Sequence, residues 1–279
     1  MNFEQVGTMQ FTLLIIGTAI SFIVPVVIAI IWKVKKKERF TTILVGAATF
    51  LLFAIILEKP LQNLLILPDH AVSGFLNSRP VLWALVVALF PGVFEETGRF
   101  VAFKTVLKNR KNRETSIAYG IGHGGFEVIF ILGLTYITYI GYAVMINSGT
   151  FISVVNQVLS QAPDQAEQVY ALVSTITSFS VSDLALGLFE RVFAVMFHIG
   201  ASIIVFYACK EKKKIWLYPL AILLHTVLDL IAALNMRKVI ELSDRALESI
   251  VCVFGLLTFF GAYFLLYRKD TEKLPEPRE

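Results

Sequence analysis

The sequence predicts an all-α polytopic membrane protein of about seven transmembrane helices. Its N-terminus is expected outside and its C-terminus in the cytoplasm, with a polar core shared by four helices. Three observations predict this. Of the 279 residues, 56% are hydrophobic and only 16% charged, with a mean hydropathy of +0.72, whereas a soluble domain carries about a quarter charged residues. Seven apolar runs follow one another, each near the ~20 residues that cross a bilayer. Basic residues crowd into every second connection between those runs.

The runs fall at about 9–32, 40–57, 80–107, 115–146, 184–208, 215–235 and 249–267. The first has no basic segment before it and no small-residue cleavage site, so it reads as a span rather than a removable signal. The third continues through charged positions from Glu95 onward, and the fourth is long enough to tilt or overhang. Lys33–Arg39, Lys108–Arg113, Lys210–Lys214 and the tail from Arg268 hold 17 of the 25 Lys and Arg, while the alternate segments hold 5. Basic connections stay in the cytoplasm, so the odd number of spans separates the two ends. The expected location is a cell membrane of the bacterial plasma-membrane type, crossed several times.

The whole chain, 1–279, reads as a single integral membrane domain, with 147–183 as an external loop free of Lys and Arg. In that loop Phe151, Val154, Val155, Val158 and Leu159 recur at helical spacing, which marks an amphipathic helix. It either lies at the interface or covers a substrate entrance. The pI near 9.0 comes from short juxtamembrane clusters, not one basic face, so no nucleic-acid partner is expected. Cys209 and Cys252 lie in or beside apolar segments and imply no disulfide framework.

By these boundaries the first, second and seventh spans carry no ionisable residue. The other four carry Glu95, Glu96, Arg99, Lys104, His123, Glu127, Glu190, Arg191, His198, His225 and Asp229. A charge at the bilayer centre costs ~2.5–3.5 kcal/mol even on an insertion scale, so these helices must face one another around a polar cavity. Counted at ~1.5 Å per residue from the cytoplasmic ends, Glu95, Arg99, His123, Glu127, His198, His225 and Asp229 reach one layer. His70, the remaining histidine, falls in an outer loop. Glu95 and Arg99, His123 and Glu127, and His225 and Asp229 are each four apart and share a helix face. Glu95 and Glu96 point to different faces, so one suits a structural pairing with Arg99 and the other chemistry. Gly120, Gly122, Gly124 and Gly125 around His123 permit close helix approach. Glu190 and Arg191 lie at another depth and read as a packing pair, and Lys104 as a side chain reaching the interface.

The motifs FEETGRF (94–100), IGHGGFE (121–127), RVFAVMFHIGAS (191–202) and LLHTVLD (223–229), in that order, resemble the YhfC family of membrane peptidases. They are also similar to PrsW-type and CAAX-prenyl-protease-like (ABI) intramembrane proteases of the glutamic type. Glu95, Glu96 and Arg99 match the family pattern EE-x-x-K/R. His123 and Glu127 stand at the aromatic-x-x-x-E motif, where the histidine departs from the PrsW pattern. His198 matches a later histidine, and His225 with Asp229 the final H-x-x-x-N/D. The resemblance covers roughly half the chain. It implies an intramembrane endopeptidase acting on a membrane protein or peptide substrate within the lipid bilayer. Glu95 and a histidine would activate water, and a second histidine backed by Asp229 would bind the oxyanion. No H-E-x-x-H occurs, so a zincin is excluded. The site holds either no metal or a Zn²⁺ bound from separate helices by His123, His198 and His225, together with Glu95. Two other classes remain open from the residues: a non-catalytic membrane protein of the immunity type that binds a peptide or toxin, and a proton-coupled transporter.

The charge bias makes topology testable. A reporter fused after Lys269 should read cytoplasmic and one inserted near Ser160 external, and an external C-terminus would sink the span count.

Overall fold

The structure, a computed structural model, describes residues 3–67 and 70–270. All regular structure among them is helical. Seven described helices are long and apolar enough to span a membrane: α1 (Thr8–Lys36), α2 (Phe40–Ile66), α4 (Pro80–Lys104), α5 (Glu114–Asn147), α8 (Val181–Lys210), α9 (Lys212–Met236) and α10 (Asp244–Tyr267). Three shorter helices join them: α3 (Ala71–Asn77), α6 (Phe151–Gln161) and α7 (Ala166–Thr177).

One boundary corrects the sequence reading. The second span does not end at residue 57, and it is not free of charge. A π-helical stretch, Leu51–Glu58, runs directly into the α-helical turn Lys59–Ile66, which has Pro60 near its start. The wider π turns loosen the i→i−4 ladder where the proline has no N–H to give, so the helix continues through a sequence that reads as a stop. Glu58 is carried into the interior as a result and is fully buried.

The chain forms two compact units. The first comprises the described residues up to Pro25 together with Val128–Arg191. Its core gathers Val6, Ala143, Ile146, Phe151, Val155, Val173 and Ile176. Asn147 closes the open backbone ahead of α1: Val6 N–H donates to its Oδ1 at 2.8 Å, and its Nδ2 donates to Val6 O at 2.9 Å. The amphipathic spacing in α6 resolves into Phe151 and Val155, which are buried in this core, Leu159 packed against it, and the more exposed Val154 and Val158.

The second unit comprises Val26–Glu127 and Val192–Glu279, of which the structure describes the chain to Asp270. Its helices meet backbone to backbone at glycines. A Cβ on Gly122 of α5 would lie 1.9 Å from Ile43 O of α2, and one on Gly46 of α2 would lie 2.2 Å from Tyr119 O of α5. Gly120 faces Ile199 Cα of α8 at 2.7 Å, and Gly92 of α4 faces Thr226 Oγ1 and Ile222 O of α9. Small residues at such crossings give membrane helices the close contact that lipid cannot drive hydrophobically. At the basic end, Glu38 accepts from Thr42 at 2.8 Å and also from Asn112, while Asp270 takes Lys210 and Tyr207, each at 2.7 Å.

The α2–α5 crossing has no room for even one methyl group. Gly122→Ala should lower stability by at least the ~1–3 kcal/mol typical of overpacking, read as earlier thermal unfolding of detergent-purified protein. Gly74→Ala, where a Cβ would meet nothing within 4 Å, serves as the control. Equal melting of the two variants would contradict the packing described.

Candidate active site

The site grows from one turn of α4. Pro91 and Gly92 lie inside this helix, and Gly92 lets α9 press onto it one turn ahead of Glu95 and Glu96. Adjacent residues diverge by about 100° around a helix, and the two acids do take different partners. Glu95 Oε2 faces α5, 2.9 Å from His123 Nε2. Glu96 Oε1 faces α9, 2.9 Å from His225 Nδ1.

Arg99, one turn further on, is fully buried and reaches both acids and His123. Its Nη1 donates to His198 O at 2.8 Å and Ser202 Oγ at 3.0 Å. Its Nη2 lies 3.1 Å from His123 Nε2 and 3.0 Å from His198 Nδ1. Its Nε is 3.3 Å from Glu96 Oε2, and Nη2 is 4.0 Å from Glu95 Oε2. A planar fork of five donors suits this many acceptors, and lysine could not replace it.

The two facing histidines have distinct surroundings. Glu127 Oε2 lies 2.5 Å from His198 Nε2, so the ring proton belongs on that nitrogen and Nδ1 turns a lone pair toward Arg99 and Glu95. His123 is fully enclosed, with Phe50 edge-on at 5.2 Å between ring centroids. Its Nδ1 is buried with no hydrogen-bond partner, while its Nε2 faces the donor Arg99 and the acceptor Glu95 together. One acceptor atom from each of Glu95, His123 and His198 lies within 4.8 Å of the other two, and all three residues are buried. Three lone-pair atoms converging on one point is the chemistry of a cation site. Two imidazoles and a carboxylate form a donor set known for zinc.

His225 stands beside this group, its ring centroid 5.4 Å from that of His198. Its nitrogens face Glu96 Oε1 at 2.9 Å and Asp229 Oδ2 at 3.6 Å. A ring held between two carboxylates is oriented to donate, and the group of Glu95, His123 and His198 forms without it. Asp229 is the outermost of the eight expected residues, its side chain 36% exposed. The other seven are buried in the same unit.

The remaining polar residues stand apart. Glu190 and Arg191 pair with each other, and Lys104 donates to Cys209 O at 3.1 Å. His70 caps α3, accepting the N–H groups of Val72 and Ser73. Glu58 is the site neighbour that the sequence reading missed. Lys59 holds its Oε1 at 3.2 Å, and its Oε2 is buried without a hydrogen bond. The signal that could have found it is the glutamate that directly follows the apolar run 40–57.

Removing one member of a buried charge network costs about 3–5 kcal/mol, because the partners are left uncompensated. Arg99→Met should therefore unfold earlier by that order in detergent, and Arg99→Lys should not restore stability, since a single ammonium cannot reach α4, α5 and α8 together. Wild-type melting of either variant would remove Arg99 from the centre of the network.

Comparison with known proteins gives the family of the chain. The profile of the YhfC intramembrane metalloprotease family matches residues 20–254. An uncharacterized membrane protein, YhfC of Bacillus subtilis (strain 168), is 31% identical over 247 residues, which cover 88% of this chain and 93% of that protein. No solved structure matches. With its four motifs on α4, α5, α8 and α9 meeting in one buried site, the chain belongs to the YhfC intramembrane metalloprotease family.

Proposed function

We propose that the protein is an endopeptidase that cleaves membrane proteins or membrane-associated peptides, with water activated at Glu95, His123 and His198. The observation that carries this reading is the convergence of three buried acceptor atoms within 4.8 Å. These residues would hold a divalent ion of the zinc type. Such an ion, when bound, supplies a Lewis acid and lowers the pKa of water toward ~7.

The rest of the chemistry belongs to the chain. Glu95 is the carboxylate of the donor group and so the nearest proton acceptor for water placed there. Glu127 fixes the His198 ring with its Nδ1 lone pair inward. Glu96 and Asp229 hold His225 so that an N–H can reach the oxygen of a scissile carbonyl as it gains charge. Arg99 keeps the carboxylates and both inner rings in register. Burial of the group limits the water that reaches it.

Two measurements test the reading. Membranes of cells carrying Glu95→Gln should accumulate an uncleaved protein, because cleavage falls by ~10²–10⁴-fold when the proton acceptor is lost. An unchanged membrane proteome would end the protease assignment. Elemental analysis of untagged protein should find close to one Zn²⁺ per chain, lost in His123→Ala and His198→Ala but retained in His225→Ala. Metal far below one per chain, with activity indifferent to chelator, would leave water held by Glu95 and histidine alone. Equal loss in His225→Ala would restore the three-histidine set.

A further inference from the structure

A groove of about 550 Å³ opens between α8, α9 and α10 in the second unit, away from the polar site. Beside it, α10 packs closely against α8 at two glycines. A Cβ on Gly255 would lie 2.4 Å from Phe193 O, and one on Gly200 would lie 2.8 Å from Thr258 C. The walls are apolar, including Leu220 and Leu224 of α9 and Phe254, Leu257 and Leu265 of α10, with Thr258 as a minor polar exception. At one end the lining changes to Lys214 and Trp216. Lys214 closes a short 3₁₀ turn whose other two residues, Lys212 and Lys213, are exposed. The acid beside them is Glu211, 2.7 Å from Lys214 Nζ, so the cluster retains an excess of positive charge. Trp216 is 59% exposed, as expected of an indole at the boundary between lipid and water.

We propose that this groove binds one anionic phospholipid, its acyl chain between α9 and α10 and its phosphate at Lys212–Lys214. The argument is charge complementarity on a fixed geometry. A cavity with apolar walls and a basic rim at the end of two membrane helices matches a molecule with an acyl chain and an anionic head. A zwitterionic lipid would satisfy the walls but gain little at the rim. A peptide helix would fill the walls but bring no phosphate. Two rings would separate the bound lipid from the histidines, since Phe254 in the groove wall is 6.3 Å from Phe197, whose ring meets both His198 and His225.

The structure supplies the blocking variant. A Cβ on Gly261, which lines the groove, meets nothing within 4 Å, so Gly261→Phe fills the space without a backbone clash. Gly141 on α5 is open in the same way and lines no part of this groove, so Gly141→Phe is its control. The full chain in detergent is titrated with phosphatidylglycerol or phosphatidylcholine, reading thermal unfolding and the mass of retained adducts. Phosphatidylglycerol should raise the melting temperature by several degrees more than phosphatidylcholine and leave one lipid per chain. That difference should persist in Gly141→Phe and vanish both in Gly261→Phe and in the triple Lys→Gln change at 212, 213 and 214. Equal stabilisation by the two lipids, survival of the selective shift in Gly261→Phe, or a retained peptide in place of a lipid would each overturn the proposal. None of these readings depends on proteolysis, so they stand or fall apart from the enzymatic assignment.

Discussion

The site depends on burying one guanidinium. Arg99 has no exposed surface, and a permanent cation in that position needs acceptors on every side. Glu96 supplies an ion-pair partner from its own helix, His198 O and Ser202 Oγ accept from α8, and the inner rings of His123 and His198 face the same guanidinium. These demands fix the rotation of α5 and α8 about α4. A half-turn of either helix would leave donors of the fork unmatched in the membrane interior, where no water replaces them.

Such an arrangement requires the helices to approach closely, and that comes from glycine. The α2–α5 crossing sets two glycines against opposing carbonyls, Gly92 faces Ile222 O of α9, and Gly120 faces the Ile199 backbone of α8. Larger residues would hold the backbones apart, and His123 Nε2 could not then stand within hydrogen-bond reach of both Glu95 and Arg99. The packing of the glycines and the polar contacts are therefore two aspects of one constraint. Neither survives alone in lipid, because hydrocarbon neither drives the helices together nor satisfies the polar groups.

Much of this was legible in the residues. The apolar runs gave seven spans, the cost of burying charge brought four of them together, and the i, i+4 pairs gave each face its chemistry. The divergence of Glu95 and Glu96 followed from helical period alone. Other features were hidden for physical reasons. The extension of α2 past Lys59-Pro60 rests on a π-helical stretch that apolar patterning does not reveal, so Glu58 was read as outside the membrane. The choice of Glu95 over His225 as partner of the inner histidines depends on side-chain direction between helices, which spacing along the chain does not fix. The groove between α9 and α10 lies beside the close packing of α10 on α8 at Gly255 and Gly200, and sequence position does not show which neighbour a glycine will meet.

The balance of charge carries the argument one step further. Glu95, Glu96, Glu127 and Asp229 surround the histidines, and among these residues and the histidines only Arg99 is a permanent cation. Its contacts do not offset the carboxylates evenly. Glu96 lies 3.3 Å from Arg99 Nε and 2.9 Å from His225 Nδ1, whereas Glu95 lies 4.0 Å from the guanidinium and faces a ring nitrogen that Arg99 also claims. The uncompensated end of the network is therefore at Glu95, where the three acceptor atoms meet. One donor, Arg99 Nη2, enters that point, 3.1 Å from His123 Nε2 and 3.0 Å from His198 Nδ1, and the three acceptor atoms share it. An excess of acceptors over donors is what binding a cation, or holding a water about to lose a proton, requires.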